Sequence, residues 1–310
     1  MQQVTVSAPG SLMLMGEHAV LHGQRALVAA INRRLRVTLR CRADRRVCLR
    51  SALGAWNTTL DTMKIQPPFR FVFAALCRYR GVLPSGVDVD IASDFSHEVG
   101  FGSSAAVTVA MLQALAALCF PRRRRPTNWL LLEARRIIRD VQGVGSGADA
   151  AASIHGGVVL YRAAPLLIRR WDIRHPLTAV YSGAKRPTPE VIRRVQAARR
   201  RQPPLFAGLY RLMDQCVGRA RSVLQRRDER AFGALLDLHQ GLLDALGVSN
   251  AALAEICFRL RADPGIRGAK ISGSGLGDCA LGWGRAAGTC APYPLFALNI
   301  EPDGVRVEHG

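Results

Sequence analysis

The segment that decides the fold reads HEVGFGSSAA, at residues 97–106. It follows strictly alternating residues at 87–92, which predict a half-buried strand. It leads into an apolar run at 103–119 that opens with Ser103 and Ser104, and a serine before such a run is typical of a helix N-cap. The sequence therefore predicts a strand, a glycine-rich loop and a helix in direct succession.

Such a loop has a chemical use as well as a structural one. Gly100 and Gly102 let the backbone approach a ligand, and a helix N-terminus offers N–H groups and partial positive charge to a phosphate. The hydroxyls of Ser103 and Ser104 can contact Mg²⁺ or a phosphate oxygen. The same residues are also consistent with a glycine-rich turn and an ordinary serine cap that bind no ligand. Neither a Walker P-loop nor a dinucleotide fingerprint matches them.

The rest of the chain mixes strand-like and helix-like patterns. A first strand at 3–8 is expected to end in a turn at Pro9-Gly10, and 35–41 with 46–50 are expected to form a strand pair. Further strands are predicted at 156–161, 177–182, 269–272 and 278–283. Helices are predicted at 69–80, 128–141, 148–155, 189–238 with a break near Pro203, and 250–262. A domain boundary is expected within 165–178.

The charge balance is unusual. The 310 residues include 43 basic and 23 acidic ones, for a net charge of +20, and only three of the basic residues are Lys. This charge raises the question of nucleic-acid or membrane binding. However, Arg is spread along the whole chain, and the longest run, Arg122–Arg125, has no aromatic residues interleaved for base stacking. We therefore expect no specific nucleic-acid partner.

No segment indicates a metal centre, a secretion signal or a membrane span. The eight Cys form no C-x-x-C pair and no zinc-ligand spacing with His. The first residues lack a basic segment followed by an apolar one, and no run of about 18 apolar residues occurs. We therefore expect a cytoplasmic protein with free thiols and no membrane partner.

Three further motifs carry polar side chains with chemical potential. Residues 7–23, SAPGSLMLMGEHAVLHG, place Glu17 beside His18, which suits substrate hydrogen bonds or a solvated surface. Residues 142–157, QGVGSGADAAASIHGG, put Asp149 at a helix start, where it caps the helix or faces a hydroxyl nucleophile. Residues 268–279, GAKISGSGLGDC, form either a long hairpin turn or a backbone site for phosphate.

In order and spacing, these four motifs resemble the GHMP kinase superfamily, and the GEHAV segment with Gly23 is most similar to its mevalonate kinases. The segment YSGAKRPTPEV at 181–191 is similar to that family's substrate-side strand and turn. The resemblance implies an α+β protein with the two-domain GHMP kinase fold. Residues 1–170 would form an ATP-binding domain like ribosomal protein S5 domain 2, and residues 171–310 a ferredoxin-like domain, with the active site between them.

The resemblance also implies a role for individual residues. Asp149 would be the catalytic carboxylate, and Ser104 would contact Mg²⁺. The residues of the ATP phosphate site would be Gly100, Gly102, Ser103, Ser104 and Ala105. The residues on the substrate side would be Glu17, His18, Thr188 and Ser274. For the adenine, the weak candidates are Trp56 and Asn57.

Two positions depart from the family pattern. Ser11 stands at the catalytic position that the family fills with Lys, so it cannot supply a positive charge there. An Arg, Lys270 or Lys185 remain open as replacements. The family's magnesium-binding Glu corresponds to Ile138, and Glu133 and Asp140 are the nearby alternatives.

The resemblance thus implies an ATP-dependent small-molecule kinase that uses ATP and Mg²⁺ to phosphorylate an alcohol on a small anionic substrate. The expected acceptor is mevalonate, converted to 5-phosphomevalonate in isoprenoid precursor synthesis. Phosphomevalonate kinase and another metabolite or sugar kinase are alternatives. A catalytically degenerate nucleotide-binding protein is the alternative of another class. The oligomeric state is open, with a homodimer as one option.

Overall fold

The structure, a computed structural model, describes residues 3–123 and 125–309, so Arg124 of the basic run lies outside it. The strands are β1 (Gln3–Met15), β2 (Ala26–Cys41), β3 (Arg46–Ser51), β4 (Gly54–Thr59), β5 (Val87–Ser93), β6 (Val158–Ala163), β7 (Leu166–Trp171), β8 (Pro176–Tyr181), β9 (Ile266–Ser272), β10 (Cys279–Gly284), β11 (Leu295–Asn299) and β12 (Arg306–His309). The helices are α1 (Arg70–Tyr79), α2 (Ser103–Cys119), α3 (Thr127–Gln142), α4 (Ala148–His155), α5 (Thr188–Arg201), α6 (Pro203–Gln225), α7 (Glu229–Ala245) and α8 (Ala251–Ala262).

The strands form two sheets. The first runs in the order β12-β1-β2-β5-β3-β4, with β6 pairing with β2 and β7 pairing with β6. The long strand β2 serves two neighbours on one edge, because its first half pairs with β6 and its second half with β5. The second sheet is antiparallel and runs β11-β8-β10-β9.

Strands β1 and β2 take part in two hydrophobic cores. Before Pro9, the residues Val4, Val6 and Ala8 face the core beneath α1–α4. After Gly10, Leu12 and Leu14 face a second core shared with the other sheet. The pairing register shifts between Pro9 and Gly10, and such a shift changes which side chains point to each face of a sheet. Pro9-Gly10 is therefore a bulge within one long strand, and the predicted turn was wrong.

The helices that carry the predicted site stand on the first sheet. α2 and α4 both pack against β1 and β2. α2 is apolar almost all round and fully covered, since α1, α3 and α4 surround it. The N-termini of α2 and α4 reach the region where β1 passes from one core to the other, which places Ser11, Ser103 and Asp149 along a single cleft.

Most predicted elements are confirmed within a few residues, including the strand, loop and helix around 87–119. The predicted pairing of 35–41 with 46–50 was wrong, because β5 lies between β2 and β3. The division into 1–170 and 171–310 stays a prediction. The chain passes from the first sheet to the second between β7 and β8, but its last strand, β12, belongs to the first sheet again. Within the described ranges, no helix is long and apolar enough to cross a membrane.

Candidate active site

A cleft of about 1400 Å³ contains nearly all of the predicted site residues. It is lined by the 97–104 loop, the start of α4, the end of β1 and the 273–278 loop. Gly100, Gly102, Ser103, Ser104 and Ala105 all lie in its wall. So do the substrate-side residues Glu17, His18, Thr188 and Ser274. The structure thus brings together residues that are up to 263 positions apart in sequence.

Two glycines of the 97–104 loop are required by its geometry. Gly100 has φ 75° and Gly102 has φ 68°, a conformation that favours glycine. A Cβ on Gly100 would lie 2.7 Å from the Cβ of Asp278, and a Cβ on Gly102 would lie 2.2 Å from Ser11 Oγ. The loop therefore packs its bare backbone against β1 on one side and the 273–278 loop on the other.

The N-terminus of α2 opens into the cleft. Its N-cap is Gly102, not a serine, and no side chain caps the helix. Ser103 and Ser104 are the first helical residues, so their N–H groups have no intrahelical acceptor. Both side chains line the cleft. This arrangement offers backbone N–H groups, two hydroxyls and the positive end of a helix dipole to an anion.

Asp149 lies in the first turn of α4, and its carboxylate accepts a hydrogen bond from Ser11. The distance from Ser11 Oγ to Asp149 Oδ1 is 2.8 Å. Burial raises the pKa of Asp149, and the Ser11 hydroxyl opposes that rise. A hydroxyl thus contacts Asp149 at the position where the family pattern has a lysine.

Glu17 has a different partner. It is 3% exposed, and its Oε1 accepts a hydrogen bond from the buried ammonium of Lys270 on β9. Burial raises the pKa of Glu17 and lowers that of Lys270, while their mutual attraction opposes both shifts. Lys270 Nζ also donates to the carbonyl oxygens of Ile271 and Met13. All three ammonium donors are therefore engaged, and Lys270 itself does not line the cleft.

His239 on α7 completes this buried group. Gly16 N–H donates to His239 Nε2 at 2.9 Å, so the neutral ring carries its proton on Nδ1. Nδ1 lies 3.8 Å from Glu17 Oε2, and neither atom has a hydrogen-bond partner. Burial and the nearby Lys270 lower the pKa of His239 well below its usual value. The ring is therefore neutral near pH 7.

His18 faces the 273–278 loop. Its Nε2 lies 2.9 Å from the carbonyl oxygen of Ser274, and burial lowers the pKa of the imidazole. Its backbone has φ 59°, which is uncommon for a residue other than glycine. Thr188 is the first residue of α5 and lines the opposite side of the cleft.

The structure does not bring Glu133 and Asp140 to the cleft. Glu133 pairs with Arg136 at 2.6 Å, and Asp140 pairs with Arg78 at 3.0 Å. Ile138, at the family's glutamate position, is an apolar part of the cleft wall. Neither carboxylate is thus placed for a metal in the cleft, and among the described residues no three His, Cys, Asp or Glu side chains form a metal cluster. Trp56 and Asn57 also lie off the cleft lining.

Sequence reasoning missed Asp278, Arg193, Arg70 and His239, the first three of which line the cleft. Asp278 follows a glycine-rich motif with glycine at positions 273, 275 and 277. A carboxylate at the end of such a motif was the sequence signal that could have identified it. His239 lies in a long amphipathic helix, where a histidine carries no distinctive pattern. Only the fold shows that it reaches β1.

The chain matches three family models. "GHMP kinases N terminal domain" matches residues 69–157, "GHMP kinases C terminal" matches 220–288, and "Galactokinase galactose-binding signature" matches 1–41. A mevalonate kinase of Aeropyrum pernix is 32% identical over 97% of this chain and 97% of its own. One of Archaeoglobus fulgidus is 33% identical over 97% and 99%. Among solved structures, Methanococcus jannaschii mevalonate kinase has a TM-score of 0.80 at 18% identity, covering 96% of this chain and 98% of its own.

Proposed function

Because the chain belongs to the GHMP kinase family, we propose that its cleft binds ATP and transfers the γ-phosphoryl group to an alcohol, with mevalonate as the acceptor. The predicted α+β, two-domain GHMP kinase fold is confirmed. Curated relatives at 32% and 33% identity over nearly the whole chain are mevalonate kinases, which supports this choice of acceptor.

One observation carries the proposal most directly. Asp149 lies in the same cleft as the uncapped N-terminus of α2, and both Asp149 and Gly102 adjoin Ser11 Oγ. Phosphoryl transfer requires mainly that the phosphates be held and that the acceptor hydroxyl be oriented in line with them. An anion site and a half-buried carboxylate in one cleft meet both needs.

Asp149 would act on the acceptor hydroxyl. Since Ser11 donates to Oδ1, we expect Oδ2 to orient the hydroxyl and receive its proton. The raised pKa of Asp149 makes it a better proton acceptor than an exposed aspartate. Glu17 and His18 would define the far wall of the acceptor pocket, with Thr188 and Ser274 nearby.

The donor set fits a magnesium ion bound together with the nucleotide. Mg²⁺ in such sites typically uses one or two carboxylates, a hydroxyl and the phosphates, and keeps several waters. Ser104 and Asp149 would hold it. When bound, the ion neutralises charge on the phosphates. Arg193, on the rim of the cleft, would attract the substrate carboxylate.

The direct test is ADP release with Mg²⁺, ATP and separate acceptors: mevalonate, phosphomevalonate and galactose. We expect turnover with mevalonate. Galactose belongs in the panel because residues 1–41 match the galactose-binding signature. Turnover with phosphomevalonate or galactose but not with mevalonate would contradict the choice of acceptor, and it would still support kinase activity. Nucleotide binding without any turnover would favour the degenerate alternative. A cytoplasmic location and a homodimer remain part of the proposal, checked by fractionation and by light scattering.

A further inference from the structure

Lys185 and Asp278 both lie beside the 97–104 loop, and the mechanism above gives Asp278 no role. Lys185 lies in the segment between β8 and α5, and its Nζ donates to the carbonyl oxygen of His97. Asp278 immediately precedes β10, and its Cβ lies against Gly100. Both side chains line the cleft.

The backbone fixes the two residues relative to each other. Asp278 N–H donates to the carbonyl oxygen of Ala184 at 2.8 Å, and Ser182 N–H donates to the carbonyl oxygen of Asp278 at 2.9 Å. Asp278 has φ 61°, in the left-handed region that favours glycine. The two backbone hydrogen bonds therefore hold Asp278 next to the segment that carries Lys185.

That carboxylate is buried and incompletely bonded. Asp278 is 8% exposed, and its Oδ1 has no hydrogen-bond partner. Burial raises the pKa of Asp278 to about 6, and the positive charge of Lys185 opposes the rise. A bare anion beside an anion-binding loop would repel phosphates, so the neighbouring lysine has to balance it.

Lys185 is also the lysine that is available to bind a ligand in the cleft. Lys270 is buried and donates to Glu17 and two carbonyl oxygens. Lys64 is exposed and lies off the cleft lining. Ser11 stands where the family pattern has its lysine. Of the three lysines, all within the described ranges, Lys185 alone lines the cleft.

We propose that Lys185 contacts the phosphates of the bound nucleotide, and that Asp278 holds its ammonium at the 97–104 loop while the cleft is empty. The phosphates and Asp278 then compete for one positive charge. The proposal rests on the nucleotide site of the proposed function, but it does not depend on the acceptor.

The test is a double-mutant cycle read by calorimetric binding of the ATP analogue AMP-PNP with Mg²⁺. Lys185→Met is expected to weaken binding roughly tenfold, because it leaves Asp278 facing the phosphates. Asp278→Asn keeps the side-chain shape, and asparagine tolerates the left-handed conformation. This variant is expected to bind several-fold more tightly than the wild type. The double variant should recover most of the affinity that Lys185→Met loses. Lys64→Met, a lysine lost elsewhere, should bind like the wild type.

Each outcome decides a part of the proposal. Wild-type affinity in Lys185→Met would overturn the phosphate contact. Weaker binding in Asp278→Asn, or no recovery in the double variant, would overturn the role of Asp278, since a merely structural carboxylate gives that result. Thermal unfolding of each variant checks that the fold is retained. A wild type that binds no AMP-PNP would contradict the proposed function itself, whereas one that binds it but phosphorylates no acceptor contradicts only the reaction.

Discussion

Two carboxylates, Glu17 and Asp149, lie in one cleft, and their partners differ. Glu17, at the end of β1, contacts the ammonium of Lys270 and faces a neutral His239. Asp149, at the start of α4, accepts a hydrogen bond from Ser11 and, among the described residues, from no other side chain. Burial raises the pKa of both, but only Glu17 has a cation to offset it.

This difference separates a structural carboxylate from a reactive one. An ion pair fixes the charge of Glu17 and joins the end of β1 to β9, which are strands of the two different sheets. A hydroxyl donor leaves Asp149 with more affinity for a proton, which suits a group that has to take one from an alcohol. Four substitutions test this contrast.

The largest effect is expected from Asp149→Asn. An amide cannot accept the hydroxyl proton, so kcat should fall about 100- to 10,000-fold. Nucleotide affinity should fall far less, because the N-terminus of α2 and Ser104 remain to bind the phosphates and the ion. Steady-state kinetics and AMP-PNP calorimetry measure the two separately. A kcat within threefold of the wild type would remove Asp149 from the reaction.

Lys270→Met should act on stability instead. Removing one partner leaves a buried, uncompensated carboxylate at Glu17, which costs about 3–5 kcal/mol of unfolding free energy. Urea denaturation gives the value. Glu17→Gln in the same chain should recover part of the loss, since no bare charge then remains. A loss below about 1 kcal/mol would mean that Glu17 and Lys270 do not depend on each other.

His239→Leu should have a smaller effect on stability. It leaves the Gly16 N–H without its buried acceptor, a loss of about 1–3 kcal/mol. Because the pKa of His239 is far below 6.5, the wild-type ring stays neutral between pH 6 and 8, and the loss should be the same across that range. A loss that grows toward pH 6 would indicate a charged imidazole paired with Glu17.

The smallest effect is expected from Ser11→Ala. It removes the hydrogen bond that lowers the pKa of Asp149, so that pKa should rise further. Activity needs the ionised carboxylate and is lost as pH falls through its pKa. The acid limb of the kcat/KM profile should therefore move to higher pH, and the loss of activity should grow as pH falls. An unmoved limb would show that Ser11 does not tune Asp149.

Much of this arrangement was predictable because its signals are local. The order of strand, glycine loop and helix around Gly102 follows from alternation, glycine and apolar periodicity within about 30 residues. Asp149 and Glu17 were found for the same reason, since each lies in a short motif.

What failed to be predicted depends on contacts distant in sequence. The assignment of Lys270 to Glu17 and of Lys185 to the 97–104 loop is decided by packing between β1, β9 and the segment after β8. Local patterns cannot separate two lysines that each follow an alanine. Pro9-Gly10 has the composition of a turn. The strand nevertheless continues through it, because the residues on both sides pair with β2 and because Leu12 and Leu14 are buried in a second core.

The return of β12 to the first sheet has a consequence for biosynthesis. β12 pairs with β1, Thr5 opposite His309, and the buried Arg34 bonds the carbonyl oxygens of Asp303 and Gly304 that lead into it. The two strands leave the ribosome about 300 residues apart, which at usual elongation rates is roughly 15–60 s. During that interval the outer edge of β1 presents unsatisfied N–H and C=O groups to other nascent chains. The first sheet can thus begin to form before β12 covers this edge of β1, and until then the edge is a site at which another chain can pair.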